Sequence, residues 1–268
     1  MIAFPNAKIN IGLQILNKRP DGYHNLETVF YPVKKLFDAL EIIEAKDTSL
    51  HLSGMPLAGH DPADNLCLKA YRLLKKDFLL PGFEIHLHKR IPSGGGLGGG
   101  SSDAAFLIRL INEYCGLKLS VDTMKSYAAQ LGADCPFFIE NSPQFAEGIG
   151  ERLTPIDVDL SVYRIVVVTP PVHVSTAQAF SGVQVGPEGK GLKECISKPM
   201  AHWKDTISND FETTVFASFP EIERIKSELY QRGALYAAMS GSGSSVFGIF
   251  DKAVELAELE KNNLVFYC

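Results

Sequence analysis

Between Gly94 and Gly100 six of seven positions are glycine, with Leu97 the exception. Backbone N–H groups can converge on a phosphate only where no Cβ blocks the approach and positive φ is allowed, and glycine supplies both conditions. Ser101 and Ser102 follow and add hydroxyl donors, and Pro92-Ser93 precede. An apolar helical pattern begins immediately afterwards (Ala104, Ala105, Leu107, Ile108, Ile111), so the unpaired N–H groups and positive dipole end of a helix adjoin the run. Strand, glycine run, Ser-Ser and helix together make a cradle for a polyphosphate.

The run excludes several phosphate-binding classes. Gly94, Gly96 and Gly99 satisfy G-x-G-x-x-G, but any glycine run does so. A dinucleotide fold places that motif after its first strand and an acid at a later strand end. Here several strands precede the run, and Asp122, at a fitting distance, sits where a helix starts. No Lys-Ser or Lys-Thr closes the run, and neither H-R-D nor D-F-G occurs. A flexible linker would not be bounded so closely by Leu97 and an apolar helix. His86 and His88 share a strand face and could suit a metal, but without an evident third ligand a solvated strand face is the preferred reading.

The elements that position these residues follow from periodicity and caps. Ile9, Ile11, Leu13 and Ile15 alternate with polar or small residues, which predicts a strand with one buried face. Extended segments are expected at Val29–Val33, Ala39–Ala45 and Phe83–Leu87. Helices are expected from Leu66 to about Phe78, after Asp64-Asn65, and from Ser120 to Gly132, with Asp134 just beyond the stop. In the second half, Tyr163–Thr169 is a buried strand and Gly182–Met200 a loop-rich insertion. Pro220 to Gly233 is a helix. Leu235–Ser240 and Ser244–Phe250 are strands, Asp251 to about Asn262 a helix, and Leu264–Tyr267 a last strand. The expected class is α+β, with residues 1–157 as one lobe and 158–268 as another.

The chain has 268 residues, 46% hydrophobic and 21% charged, with a net charge of −5. That composition suits a globular domain pair able to bury two cores. Mild acidity argues against nucleic acid as partner. No apolar run reaches the length of a membrane span, and the start of the chain lacks a secretory pattern, so a cytoplasmic protein is expected. Five scattered cysteines form neither a disulfide framework nor a zinc knuckle.

Three segments occur in order: A-K-I-N-I at Ala7–Ile11, P-x-G-G-G-L-G-G-G-S-S-D-A at Pro92–Ala104, and S-G-S-G-S-S at Ser240–Ser245. This set resembles the three motifs of the GHMP kinase superfamily, named for galacto-, homoserine, mevalonate and phosphomevalonate kinases. R-P-D-G-Y-H at Arg19–His24, L-G-A-D-C-P-F at Leu131–Phe137 and F-A-E-G-I-G-E at Phe145–Glu151 resemble the branch whose alcohol substrate carries a cytidine diphosphate group. The likeness weakens between Gly182 and Ile207.

The resemblance implies an N-terminal lobe like ribosomal protein S5 domain 2, a ferredoxin-like C-terminal lobe and an active site in the cleft between them. It implies ATP with Mg2+ as phosphoryl donor, a small cytidine-bearing alcohol as partner, and a place in isoprenoid precursor synthesis. Asp134 would be the base that takes the hydroxyl proton, although Asp beside Gly also commonly caps turns. Lys8 would keep that carboxylate ionised and stabilise charge on the moving phosphoryl group; alone, it reads as a solvated lysine. Asn10, on the same strand face, would hold the substrate hydroxyl end. Tyr23 and His24 follow the Asp21-Gly22 turn and would hold the cytosine, with Phe180 as opposing platform and Thr176 as a polar contact. Pro92, Gly94, Gly95, Gly96, Leu97, Gly98, Gly99, Gly100, Ser101 and Ser102 would bind the ATP phosphates, and Asn65 and Lys89 the adenine side. Asn65 could equally be a helix cap. Glu147 and Glu151 are expected to be structural or peripheral, and no residue is singled out as a metal ligand. Another superfamily kinase and a phosphate-binding module without catalysis are the competing readings.

Overall fold

A computed structural model describes residues 1–56, 64–183 and 191–268. Among them are twelve strands: β1 (Ile2–Ala3), β2 (Asn6–Lys18), β3 (His24–Phe37), β4 (Ala39–Ala45), β5 (Ser49–Gly54), β6 (Gly82–Lys89), β7 (Gln144–Glu147), β8 (Arg152–Pro155), β9 (Arg164–Thr169), β10 (Tyr236–Met239), β11 (Val246–Phe250) and β12 (Leu264–Tyr267). The α-helices are α1 (Leu66–Asp77), α2 (Gly99–Tyr114), α3 (Val121–Ala129), α4 (Phe137–Glu140), α5 (Thr176–Phe180), α6 (Leu192–Ile196), α7 (Trp203–Thr206), α8 (Phe211–Ser218), α9 (Pro220–Gln231) and α10 (Ala257–Glu260). The α+β expectation holds. The three sheets run β1-β4-β6-β5, β2-β3-β7-β8 and β10-β11-β9-β12.

Packing divides the chain into two units. The first comprises residues 1–7, 36–93 and 98–142, and the second residues 8–35, 94–97 and 143–268. This division does not coincide with the expected linear boundary at 157/158. The long strands β2 and β3 each begin or end in one unit and run on into the other, so neither unit is a single stretch of chain.

The first unit has α1, α2, α3 and α4 packed on one another, with α2 also against β1 and β4. Its core joins one face of the β4–β6 pairing (Leu40, Ile42, Phe83, Ile85, Leu87) to the apolar stripes of α1 (Cys67, Ala70, Leu74) and α2 (Ala104, Ala105, Leu107, Ile108, Ile111). The helix boundaries obey the expected caps. The Asn65 side chain accepts from the Cys67 N–H and Ser120 from the Thr123 N–H. Gly116, with φ of 61°, lies just beyond α2.

In the second unit, Val166, Val168, Ala237, Met239, Val246 and Phe250 of the β10-β11-β9-β12 sheet pack with Phe211 and Val215 of α8 and Ile222, Ile225 and Leu229 of α9. Trp203, the one tryptophan of the sequence, is buried in this unit edge-on to Tyr236, with ring centroids 5.8 Å apart. The helix expected over Asp251–Asn262 shrinks to the single turn α10. Of the expected insertion Gly182–Met200, residues 184–190 lie outside the described residues, and α6 occupies Leu192–Ile196. Strand β2 departs from the one-faced reading. Ile9, Ile11, Leu13 and Ile15 are buried, but so are Lys8, Asn10 and Gln14 on the other face.

Candidate active site

The buried polar face of β2 is paid for by hydrogen bonds within the second unit, since a buried polar group without a partner is costly. Asn10 is the hub. Its Oδ1 accepts from the Lys8 ammonium, its Nδ2 donates to Thr28 Oγ1 at 3.0 Å, and its backbone N–H donates to Ser240 Oγ at 3.2 Å. Thr28 passes its own proton to the Gly12 carbonyl at 2.6 Å. The Lys8 ammonium also lies 4.9 Å from the centre of the Phe30 ring. Lys8 and Asn10 are therefore fixed side chains, unlike the mobile lysine of a solvated strand.

The same unit brings the three motifs together. The Lys8 N–H donates to the Leu97 carbonyl at 2.9 Å, Ser240 Oγ donates to the Gly96 carbonyl at 2.9 Å, and the Ser245 N–H donates to the Gly95 carbonyl at 3.2 Å. A Cβ at Gly96 would fall 2.0 Å from the Ser240 carbonyl oxygen, and Gly96 has φ of 75°. The Ser240–Ser245 turn joining β10 to β11 is thus seated on the first half of the glycine run. Asn209 was not anticipated from sequence, yet its Nδ2 donates to the carbonyls of Met239 and Gly241, both at 2.8 Å, and holds the turn. Its only sequence signal is an Asn-Asp pair ahead of an apolar helix.

The second half of the run belongs to the first unit, where Gly98, with φ of 69°, is the N-cap of α2. Gly99, Gly100 and Ser101 open the first turn, so their N–H groups have no partner within the helix and are the donors a phosphate requires, whereas the Ser102 N–H already donates to the Gly98 carbonyl at 2.9 Å. Asp134 is half-buried in the turn between α3 and α4. Its neighbour Cys135 hydrogen-bonds Ser101, which ties this turn to the start of α2. Burial, opposed by that bond and reinforced by the Asp134 charge, pushes the Cys135 thiol up to about 11, an inert thiol.

Asn65 caps α1 through Oδ1. Lys89, expected on the adenine side, has its side chain buried among acids. Its ammonium pairs with Asp38 and, at 2.6 Å, with Asp103 Oδ2. Burial pulls this ammonium down, but the two carboxylates outweigh it and leave its pKa raised.

The aromatic group lies in the second unit. Tyr23 is 61% exposed at the tip of the β2–β3 connection. His24 stacks directly on Phe180, with centroids 5.0 Å apart and planes 20° apart, and Phe180 meets the edge of Phe211 at 4.7 Å. Phe180 therefore has His24, not an open gap, against its face. Thr176 is exposed in the first turn of α5, which Ser175 and Gln178 close as a capping box. Glu151 accepts from the Ile149 N–H at 2.6 Å and shapes the turn after β7. Glu147 lies 4.0 Å from Arg152 across the β7–β8 pair.

His86 stacks on His51 at 4.7 Å, and His88 Nδ1 is 3.0 Å from Ser53 Oγ. Among the described residues no group of three or more His, Cys, Asp or Glu could hold a metal ion, and no helix is long and apolar enough to cross a membrane.

Residues 65–141 match the family described as GHMP kinases N terminal domain, and residues 192–263 match GHMP kinases C terminal. The chain is 54% identical over 264 residues, 97% of its length, to the 4-diphosphocytidyl-2-C-methyl-D-erythritol kinase of Bacteroides fragilis strain YCH46, covering 96% of that protein. It is 54% identical over 270 residues to the protein of the same name from Bacteroides thetaiotaomicron, covering 99% and 98% of the two chains. A crystal structure of 4-(cytidine 5'-diphospho)-2C-methyl-D-erythritol kinase superposes with a TM-score of 0.84 at 29% identity, covering 100% of this chain and 98% of that one. A crystal structure of mevalonate kinase shares the fold, with a TM-score of 0.71 at 16% identity, covering 100% and 98%.

Proposed function

The chain belongs to the GHMP kinase family, and from that premise we propose that it transfers the γ-phosphate of ATP to the 2-hydroxyl of 4-diphosphocytidyl-2-C-methyl-D-erythritol. The reaction belongs to the non-mevalonate route to isoprenoid precursors and takes place in the cytoplasm. The full-length match to kinases of that name carries this reading. The seating of Ser240–Ser245 and Lys8 on the glycine run supports its phosphate-binding part.

Each residue has a physical task in the transfer. The N–H groups of Gly94–Ser101 bind the phosphate chain of ATP, and magnesium carried by the nucleotide would neutralise its β- and γ-phosphates. Asp134 accepts the proton of the attacking hydroxyl as its oxygen bonds to the γ-phosphorus. The bond to the bridging oxygen breaks, and ADP leaves with that electron pair. Lys8 supplies positive charge to the transferring phosphoryl group, and Asn10 holds the alcohol end. Tyr23 offers an exposed ring to the cytosine and His24 a hydrogen bond to the base edge. His24 and Phe180 separate, or the base takes the Tyr23 side, when substrate binds.

The test is ATP-to-ADP turnover by the purified protein with and without this alcohol. Turnover that depends on the alcohol establishes the substrate. ATP binding with turnover only on mevalonate or homoserine would move the chain to another branch of the family. ATP binding with no turnover on any of these alcohols would favour a phosphate-binding module.

A further inference from the structure

One buried cluster in the first unit is not used by the chemistry above. Asp38 lies between β3 and β4 and is fully buried, and Lys89 and Asp103 are each 3% exposed. Both oxygens of Asp38 are occupied. Oδ1 accepts the backbone N–H groups of Arg90 at 2.5 Å and Ile91 at 2.8 Å, while Oδ2 pairs with the Lys89 ammonium. Lys89 reaches on to Asp103 in α2. One carboxylate thus grips the backbone where the chain enters the glycine run. Through the lysine, the cluster also grips the helix into which the run leads. The segment just ahead of the run lies against the far end of it: a Cβ on Gly99 would fall 2.9 Å from Ile91 Cγ2 and 3.4 Å from Lys89 Nζ.

Burying three ionisable groups is a poor way to gain stability, because desolvation offsets most of their attraction. Asp103 Oδ1 has no hydrogen-bond partner among the described residues, so the cluster is not even fully satisfied. What it does provide is fixed geometry at both ends of a loop whose glycines would otherwise leave it free.

We propose that Asp38, Lys89 and Asp103 are positioning residues that hold the entrance and exit of the glycine run at a set separation, and so set its affinity for the phosphates of the donor nucleotide. The proposal rests on the kinase reading and deepens it. Lys89 acts here through the loop, without touching the nucleotide through its side chain.

The cluster also has a protonation state. Burial raises Asp103, Lys89 lowers it and Asp38 raises it again, leaving it at about 8. Cys67 of α1 also faces it, with its thiol pushed up by burial and the Asp103 charge, and Cys135 in turn lies near Cys67. Losing the Asp103 proton leaves two carboxylates facing one ammonium close to a helix start that must receive phosphate.

The experiment measures KM for MgATP, KM for the alcohol and kcat for the parent, Lys89→Met and Asp103→Asn, together with MgADP affinity by calorimetry and a thermal melt. Lys89→Met raises KM for MgATP and Kd for MgADP about tenfold or more, with KM for the alcohol within about twofold. In the parent both nucleotide constants rise between about pH 7 and pH 9, and in Asp103→Asn, which mimics the protonated acid, they stay flat. A folded Lys89→Met protein with unchanged nucleotide constants would overturn the proposal, leaving the cluster a core ion network only. Should Lys89→Met not fold, superimposable pH profiles for parent and Asp103→Asn would overturn it, and a flattened profile would sustain it. Calorimetry needs no turnover, so a protein that binds MgADP as described but phosphorylates none of the alcohols fails the kinase reading while leaving the positioning role intact.

Discussion

The proposed reaction asks one proton transfer of Asp134, which sits in a turn held to the start of α2 by the Cys135–Ser101 bond. Replacing it with asparagine keeps the shape and removes the acceptor. Asp134→Asn is expected to lower kcat by about 10²–10⁴-fold with MgADP affinity within about twofold, checked by steady-state kinetics and calorimetry. Turnover near the parent level would remove Asp134 from the base role. Not every residue was equally legible from sequence. The glycine run announced itself because no other residue type permits its backbone. Lys8 and Asn10 did not, because a lysine beside a strand is usually solvated, and only the three-dimensional partners of Asn10 show both side chains fixed. The acid partners of Lys89 were hidden for a related reason. A sequence shows a cation but not the two buried acids that claim it, one of them fifty-one residues away.

Elements whose ends carry caps were legible. α1, α3 and α9 begin where Asn65, Ser120 and Pro220 say they should, α9 ends just ahead of Gly233, α3 stops at Ala129, three residues short of Gly132, and β4 and β12 have the expected bounds. Elements defined by tertiary contact were not, among them the short helices α4 to α8 and the strands β5, β7 and β8, where too few apolar residues recur to mark a period. The Ser240–Ser245 turn lies between these cases, since the sequence marks a turn but not what it packs on. Two glycines separate conformational strain from contact there. Both Gly96 and Gly116 have positive φ, but a Cβ at Gly116 meets nothing within 4 Å, whereas one at Gly96 strikes the Ser240 carbonyl. Gly116→Ala is expected to cost about 1–2 kcal/mol of stability with nucleotide affinity unchanged. Gly96→Ala should also weaken MgADP binding about tenfold or more, because the loop must move off the turn. Equal affinities in calorimetry would show that this contact does not shape the phosphate site.

At the scale of the molecule, the α+β class was legible from alternating periods, while the division into packing units was not. A boundary drawn along the sequence cannot express units that exchange β2, β3 and half of a glycine run. Global stability should carry the imprint of the buried acids. Asp103 is raised in the folded state from 3.8 to about 8, so the fold favours its protonated form. Its contribution is full below the unfolded value and is lost as pH rises through the folded one. Glu212, raised mainly by burial against the lowering effect of Lys226, shifts stability in the same sense. The parent Tm should therefore fall between about pH 5 and pH 8, and Asp103→Asn should flatten part of that fall, read by calorimetric melts across the range. An identical pH dependence in both proteins would place the Asp103 proton elsewhere.

Because Trp203 is the chain's one indole and is buried against Tyr236 in the second unit, ultraviolet emission excited at the indole band comes from that unit alone. The protein thus carries its own optical label. Emission follows the unit that contains Lys8 and the Ser240–Ser245 turn, while far-ultraviolet circular dichroism sums over both. Superimposable traces from the two signals would mean that units sharing so many chain crossings come apart as one, and separated traces would say which lets go first.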